Sequence, residues 1–509
     1  MNASAPVYLD YAATTPVDPA VAEVMARCLA GPEGLGNASS ATHLFGRRVA
    51  EQIERARAQV AALIGAAPAE IVFTSGATES NNLAVLGAAR ANAHRGRHIV
   101  SSRIEHKAVL DPVKRLEKEG FTVTLVAPDR SGRIDPGAVA AALRPDTVLA
   151  SIMLVNNEIG VIQDIPAIGA LCHARGVLFH SDAAQAVGKI PLDVHALPLD
   201  FMSLTAHKLY GPKGVGALYV RSEARPHLQP IVFGGGQERG LRPGTLPTHQ
   251  IVGLGTACDL ARRGLTVEHA RLSGLRQRLW EGLRTLGGVH ANGEDVPCVP
   301  GILSVSFEGV EGESLITGVH ELAASTGSAC NSASAEPSYV LRALGRDTQL
   351  AQSSLRLSFG RFSQAEHIDI AINAIRREVA RLRTLSPASE PPGGPDEATA
   401  ARDAGTPAIG VQVVGEAGGP GQEAWVRFRL RVRDGVVKSA LFKAYGCPHT
   451  LAVAGWVAER LRGRGRADLA PGAPADWAAA LAVPVEKLGR LLVVEDALAD
   501  CARHWPEQG

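Results

Sequence analysis

Between about residues 46 and 221 the chain alternates short apolar runs with stretches of helical period. That alternation points to a mostly parallel sheet covered by helices. The runs are EIVFTS (70–75), HIVSS (98–102), FTVTLVAP (121–128), TVLASIMLV (147–155), GVLFHSD (176–182), DFMSLTA (200–206) and GVGALYV (214–220). Most of them end where a polar segment begins. Ligands of an open parallel sheet sit outside the carboxyl ends of its strands, and TSGATES (74–80), SRIEHK (102–107), VNNE (155–158), SDAAQ (181–185) and TAHK (205–208) all fall there. Five polar strand ends on one edge describe a site.

Beyond about residue 265 come a long amphipathic helix, roughly 266–286, and apolar runs near 302–307, 322–325 and 354–359, which fit a smaller α+β domain. The expected division is a large domain over about 16–265 and a small one over about 1–15 and 266–385. Residues 386–407 have the Pro, Gly, Ser and acidic content of a linker, and a separate module spans 408–509. In that module WVRFRLRV (425–432) alternates strictly, Asp434-Gly435 supplies a hairpin turn into VVKSALFKAY, and helices are expected near 449–463 and 485–503.

At 509 residues, 46% hydrophobic and 20% charged, the chain has the balance of a globular protein of about three domains. Its net charge of +1 gives no argument for nucleic acid or an anionic membrane. No apolar run approaches the roughly 20 residues of a membrane span, and MNASAPVYLDYA lacks a signal-peptide pattern. The expectation is a cytoplasmic protein. Seven cysteines are scattered without a CxxC pair, which suggests neither a disulfide framework nor a metal site.

The strand ends carry the chemistry. TSGATES closes a strand and opens a helix, so the amides of Ala77 and Thr78 and the Thr78 hydroxyl suit a phosphate; a plain helix start is the alternative. His106 can stack on a flat ring and act as an acid or base, although a lone histidine is more often structural. Asn157 in VNNEIG could bond a phenolic oxygen or a substrate carboxylate, and a turn residue is its ordinary reading. Asp182 suits a pyridine nitrogen and Gln185, three residues on, a phenolic oxygen. Lys208, in TAHKLYGPKG, is placed to hold pyridoxal phosphate as a Schiff base, with Thr205 and His207 near enough for further contacts.

Together these segments resemble the pyridoxal-phosphate-dependent cysteine desulfurases of the IscS/NifS type. The resemblance spans roughly residues 7–385, through YLDYAATTPVDP, SGATESNN, EHKAVL, VNNEIG, SDAAQ, HKLYGPKG, GGGQERGLRPGTLP, STGSACNSASAEPSYVLRALG and SSLRLSFGRF. It implies fold type I, a homodimer, and conversion of L-cysteine to L-alanine with the sulfur left on an enzyme cysteine. Lys208 is then the Schiff-base lysine, His106 the ring-stacking acid/base, Asp182 the pyridine partner, and Gln185 and Asn157 the phenolic-oxygen contacts. Phosphate contacts fall on Ala77, Thr78, Thr205, Ala206 and His207, with Thr245 reaching in from the other subunit. Arg356 takes the substrate carboxylate. Cys330, ringed by small residues, is the nucleophile; Asn331 follows it where the family pattern suggests a small hydroxyl residue. Selenocysteine lyase or aminotransferase chemistry is the alternative within enzymes, and the Cys330 loop disfavours the second.

Residues 408–509 resemble the iron-sulfur scaffolds of the IscU/NifU N-terminal type, through FKAYGCPHT and KLGRLLVVEDAL. Of the three cysteines such scaffolds use, Cys447 alone remains; GGPGQEAW lacks the first, and Gly489 and Arg490 occupy the third position and its preceding histidine. Cys501 lies beyond the motif as a helix residue. A cluster needs three or four ligands, so the module is expected to relay sulfur from Cys330 to Cys447, to dock an acceptor, or to keep Cys447 as a buried structural thiol. Iron-sulfur scaffolds or other sulfur acceptors are the expected partners.

Overall fold

Seven strands form the central sheet, and their side chains alternate between two cores. The computed structural model describes residues 5–310, 312–326, 337–385, 411–418, 424–446, 448–481, 483 and 488–506. After a short β1 (Val7–Tyr8), the strands β2 (Ile71–Thr74), β3 (His98–Ser102), β4 (Thr122–Val126), β5 (Thr147–Ser151), β6 (Leu178–Asp182), β7 (Phe201–Thr205) and β8 (Gly216–Val220) lie in the order β2-β8-β7-β6-β5-β3-β4. β8 is antiparallel to β2 and β7, and the remaining neighbours are parallel. Phe73, Val100, Ala150, Phe179, Met202 and Tyr219 enter one core; Val72, Ile99, Leu149, Leu178, Phe201 and Leu218 enter the other. A strand buried on both faces must be apolar at consecutive positions, which is why each reads as an unbroken run.

By its internal contacts the chain separates into residues 1–306 with 321–372, and residues 307–320 with 373–509. In the first unit the helix Thr248–Arg284 runs for 37 residues, beginning well before the expected 266. Gly253 and Gly255 hid its first half. A Cβ on Gly255 would lie 2.6 Å from Ala56 Cα, and one on Gly253 would lie 2.7 Å from Met25 Sδ, so these glycines permit close packing rather than break the helix. The same unit carries β9 (Val289–Asn292), β10 (Ile302–Phe307) up to Ser306, β11 (Leu322–Ala323), β12 (Ser325–Thr326) and β13 (Ser354–Ser358). β11 pairs with β1, while the others form a sheet ordered β12-β13-β10-β9.

In the second unit, β14 (Val411–Gly418), β15 (Trp425–Arg433) and β16 (Val436–Tyr445) form an antiparallel meander. Asp434 and Gly435 have φ of 54° and 70°, the left-handed pair that a tight two-residue hairpin requires. Val426, Phe428, Leu430 and Val432 are buried, whereas Arg429, Arg431 and Arg433 are exposed. Helices cover Pro448–Arg460, Pro474–Ala480 and Leu488–Arg503. Sequence periodicity missed β14, because Gly415 interrupts its apolar pattern. A side chain there would sit 2.2 Å from Cys501 N, so the strand needs a glycine to meet the last helix.

Candidate active site

The carboxyl ends of the parallel strands open on a cavity of about 610 Å³, within the range of small-molecule sites. At one end, β2 passes into the helix Ala77–Ala91 through Gly76, whose φ of 148° only glycine adopts readily. No side chain caps this helix, and Gly76, Ala77 and Thr78 line the cavity. Uncapped first-turn amides and the helix dipole together favour an anion. β8 begins at the same edge because it runs antiparallel, which adds Lys213 and Gly214 to the lining.

In the middle of the cavity, Asp182 ends β6 and is 5% exposed. Its Oδ2 accepts from Asn81 Nδ2 at 2.7 Å and its Oδ1 from Ala184 N at 2.9 Å, so two donors hold the carboxylate in place. His180, two residues upstream, lies between the Ser151 and Ser203 hydroxyls, and complete burial pushes its pKa down to about 4. His106 is the N-cap of the helix Lys107–Glu117; its Nδ1 accepts from Ala108 N at 3.1 Å, which leaves Nε2 to carry the proton. Burial, reinforced by Lys208, keeps this imidazole below its ordinary pKa. Lys208 itself follows β7 on the short turn Ala206–Lys208.

Arg356, on β13, forms the remaining side. Its guanidinium donates to Asn157 O at 3.0 Å and to Asp10 Oδ1 at 2.8 Å, yet its buried Nε has no hydrogen-bond partner among the described residues. Asn157 Oδ1 is likewise buried and has no hydrogen-bond partner among the described residues. Unmet donors and acceptors in a buried site are costly unless a ligand satisfies them. Two buried glutamates lie behind this lining. Glu158 accepts from Ser338 Oγ at 2.5 Å and is pushed up to about 7 by burial; Glu105 accepts from Ser102 Oγ and Met153 N and is pushed up to about 8, again chiefly by burial.

A family model described as aminotransferase class-V matches residues 7–370. The cysteine desulfurase IscS of Pectobacterium atrosepticum is 56% identical over 382 residues, covering 75% of this chain and 95% of that protein. The chain belongs to the cysteine desulfurases of the class-V aminotransferase family. The IscS of Salmonella schwarzengrund matches equally well, at 56% over 382 residues. Among solved structures, a NifS-like protein superposes with a TM-score of 0.68 at 35% identity, covering 74% of this chain and 100% of that one. A structure described as SspA in complex with cysteine gives 0.63 at 39% identity, covering 70% and 99%. This desulfurase therefore has fold type I and depends on pyridoxal phosphate, as the sequence resemblance implied.

The cavity fits that cofactor in chemistry. An uncapped helix N-terminus suits its phosphate, a positioned carboxylate suits its ring nitrogen, and a lysine stands at the same edge. Of the residues expected from the sequence, Ala77, Thr78, His106, Asn157, Asp182, Gln185, Thr205, His207, Lys208 and Arg356 all line this one cavity. Ala206 is fully buried and Thr245 is exposed; neither is among the lining residues. Cys330 and Cys447 lie outside the described residues. Cys501 is buried in the helix Leu488–Arg503, and burial pushes its thiol up to about 12, consistent with a core residue. Among the described residues no cluster of three or more His, Cys, Asp or Glu could hold a metal ion, and no helix is long and apolar enough to cross a membrane. Asn81, Asp10 and Glu105 were given no role in advance. Their contacts join residues 101, 346 and 48 positions apart, and no local pattern announces such a contact.

Proposed function

We propose that this cavity converts L-cysteine to L-alanine and passes the sulfur to Cys330 as a persulfide. One observation carries the residue roles: the uncapped amides of the Ala77 turn, the anchored Asp182 carboxylate, Lys208 and the unpartnered Arg356 Nε converge on a single cavity. Ala77, Thr78, Thr205 and His207 hold the phosphate of pyridoxal phosphate, Asp182 its ring nitrogen, and Lys208 its aldehyde carbon. When bound, the cofactor supplies an electron sink that labilises bonds around the substrate α-carbon. Arg356 Nε receives the substrate carboxylate, and Asn157 O and Asp10 hold the guanidinium in its plane. His106 keeps its proton on Nε2, because Nδ1 is committed to the backbone, and so presents one defined donor.

The Cys330 thiolate then attacks the substrate sulfur. A sulfur-sulfur bond forms, the carbon-sulfur bond breaks with its electron pair left on carbon, and a proton taken up there completes alanine. A thiol plus cysteine has become a persulfide plus alanine, with no external oxidant. The relatives are cysteine desulfurases by name, which supports this reading. A homodimer in which Thr245 serves the partner's site belongs to the same reading; it is supported by the exposure of Thr245 and of Phe233, 81% accessible in the same connecting segment. So do a cytoplasmic location and an iron-sulfur scaffold or other acceptor. For residues 408–509 we favour sulfur relay or docking.

The test is Cys330→Ala. The variant is expected to bind pyridoxal phosphate with an unchanged visible spectrum and to release no sulfide from L-cysteine, while mass spectrometry of the wild type finds a 32 Da adduct on the peptide holding Cys330 (about one sulfur atom). Normal turnover by Cys330→Ala would remove that residue from the mechanism.

A further inference from the structure

Gln185 lines the cavity, and both ends of its amide are already engaged. Its Nε2 donates to Ala12 O at 2.8 Å, and its Oε1 accepts from Lys189 Nζ at 2.6 Å. A primary amide has nearly the same shape in its two flipped orientations, so packing alone does not choose between them. Hydrogen bonding does. A backbone carbonyl can only accept, so a flipped Gln185 would oppose oxygen to oxygen at Ala12, and donor to donor at Lys189 whenever that amine carries its proton. In the observed orientation the amide nitrogen has a second N–H beyond the one given to Ala12 O, on a side chain that lines the cavity. The site therefore meets a donor at this position rather than an acceptor.

Lys189 is four residues beyond Gln185 and is not among the residues lining that cavity. It borders instead a small space of about 20 Å³, enough for one water, shared with Tyr11, Tyr210, Glu268 and His269. Burial pushes its amine down to about 7; Lys208 and Arg356 push the same way, and Glu268 opposes them. The amine is thus within electrostatic reach of two residues of the candidate site, and its hydrogen bond to Gln185 joins it to a residue of the cavity lining. We propose that Lys189 is a positioning residue for the cofactor site, fixing the Gln185 amide so that an N–H faces a ligand oxygen. The proposal rests on the pyridoxal-phosphate reading of the cavity and adds to it a residue that makes no direct contact there.

The experiment compares full-length wild type, Lys189→Met, Gln185→Ala and the double variant. Each is stripped of cofactor and titrated with pyridoxal phosphate, and the pH midpoint of the cofactor's visible absorbance is recorded alongside the dissociation constant. Lys189→Met is expected to weaken cofactor binding about tenfold, the size of one charge-assisted hydrogen bond, and to move the absorbance midpoint. In the Gln185→Ala background the same substitution is expected to change neither quantity by more than about twofold, because the group it acts through is gone. Lys189→Arg, which retains a cationic donor, is expected to restore most of the affinity. An equal effect of Lys189→Met in both backgrounds overturns the proposal, as does an Arg variant no better than Met. Failure of the wild type to develop visible absorbance with pyridoxal phosphate would overturn the underlying reading of the cavity instead, and the proposal with it.

Discussion

Single residues in this protein are shaped by burial as much as by partners. Glu105 is the clearest case: its carboxyl is held protonated near neutrality, with a folded pKa of about 8 against an ordinary 4.5. Between those values the fold binds a proton that the unfolded chain has released. Stability from this group therefore falls as pH rises from about 4.5 to 8, with a slope approaching about 1.4 kcal/mol per pH unit. Glu105→Gln is expected to flatten that decline, read as denaturant midpoints measured across the window; an unchanged slope would show that another group titrates. Asn81 acts through a partner instead. Asn81→Ala deprives Asp182 Oδ2 of its 2.7 Å donor, and cofactor affinity is expected to drop about tenfold while the far-ultraviolet dichroism stays the same. The residue types at Lys208, Asp182, His106 and Arg356 were legible in sequence because each closes a strand or sits in a dense motif. Asn81 was not, since nothing in SGATESNN distinguishes a buried partner of Asp182 from a surface asparagine.

Elements are joined by contacts of long sequence separation, and one of these is a buried ion pair. Arg57, on the helix Leu44–Ile64, grips Glu238 with Nη1 and Nη2 at 2.8 and 2.7 Å, and Glu238 also accepts from Phe73 N on β2 at 2.7 Å. Both side chains are nearly inaccessible. Glu238→Gln removes the buried partner and leaves Arg57 only the more exposed Glu54 carboxylate and Ile71 O, so it is expected to cost about 2–3 kcal/mol of unfolding free energy, measured by chemical denaturation. A loss below about 1 kcal/mol would mean that water reaches Arg57. The central strands were readable as elements because burial on both faces forces consecutive apolar residues. The long helix was misjudged at its start for the opposite reason. Gly253 and Gly255 look like helix breakers until Ala56 and Met25 are seen packed against them.

At the scale of the whole molecule, the candidate site is built entirely from residues of the first unit, from Ala12 to Arg356. A chain ending at Leu385 is accordingly expected to bind pyridoxal phosphate and to form alanine from L-cysteine within about twofold of the full-length rate; a larger loss would give residues 408–509 a part in the chemistry itself. The alternation of apolar runs and helical stretches determined the sheet and the edge on which a ligand binds, because periodicity is a property of consecutive residues. The motifs at that edge determined the chemical class. Tertiary structure alone decided which groups hold the machinery in position: Asp10 against Arg356, Asn81 against Asp182, and Lys189 against Gln185. The first two pairs span 346 and 101 positions, while Lys189 is four positions away in a turn whose direction only the packed core sets. Local sequence encodes which residues a strand end presents; the closing of the chain on itself selects which of their atoms are already engaged and which remain for the ligand.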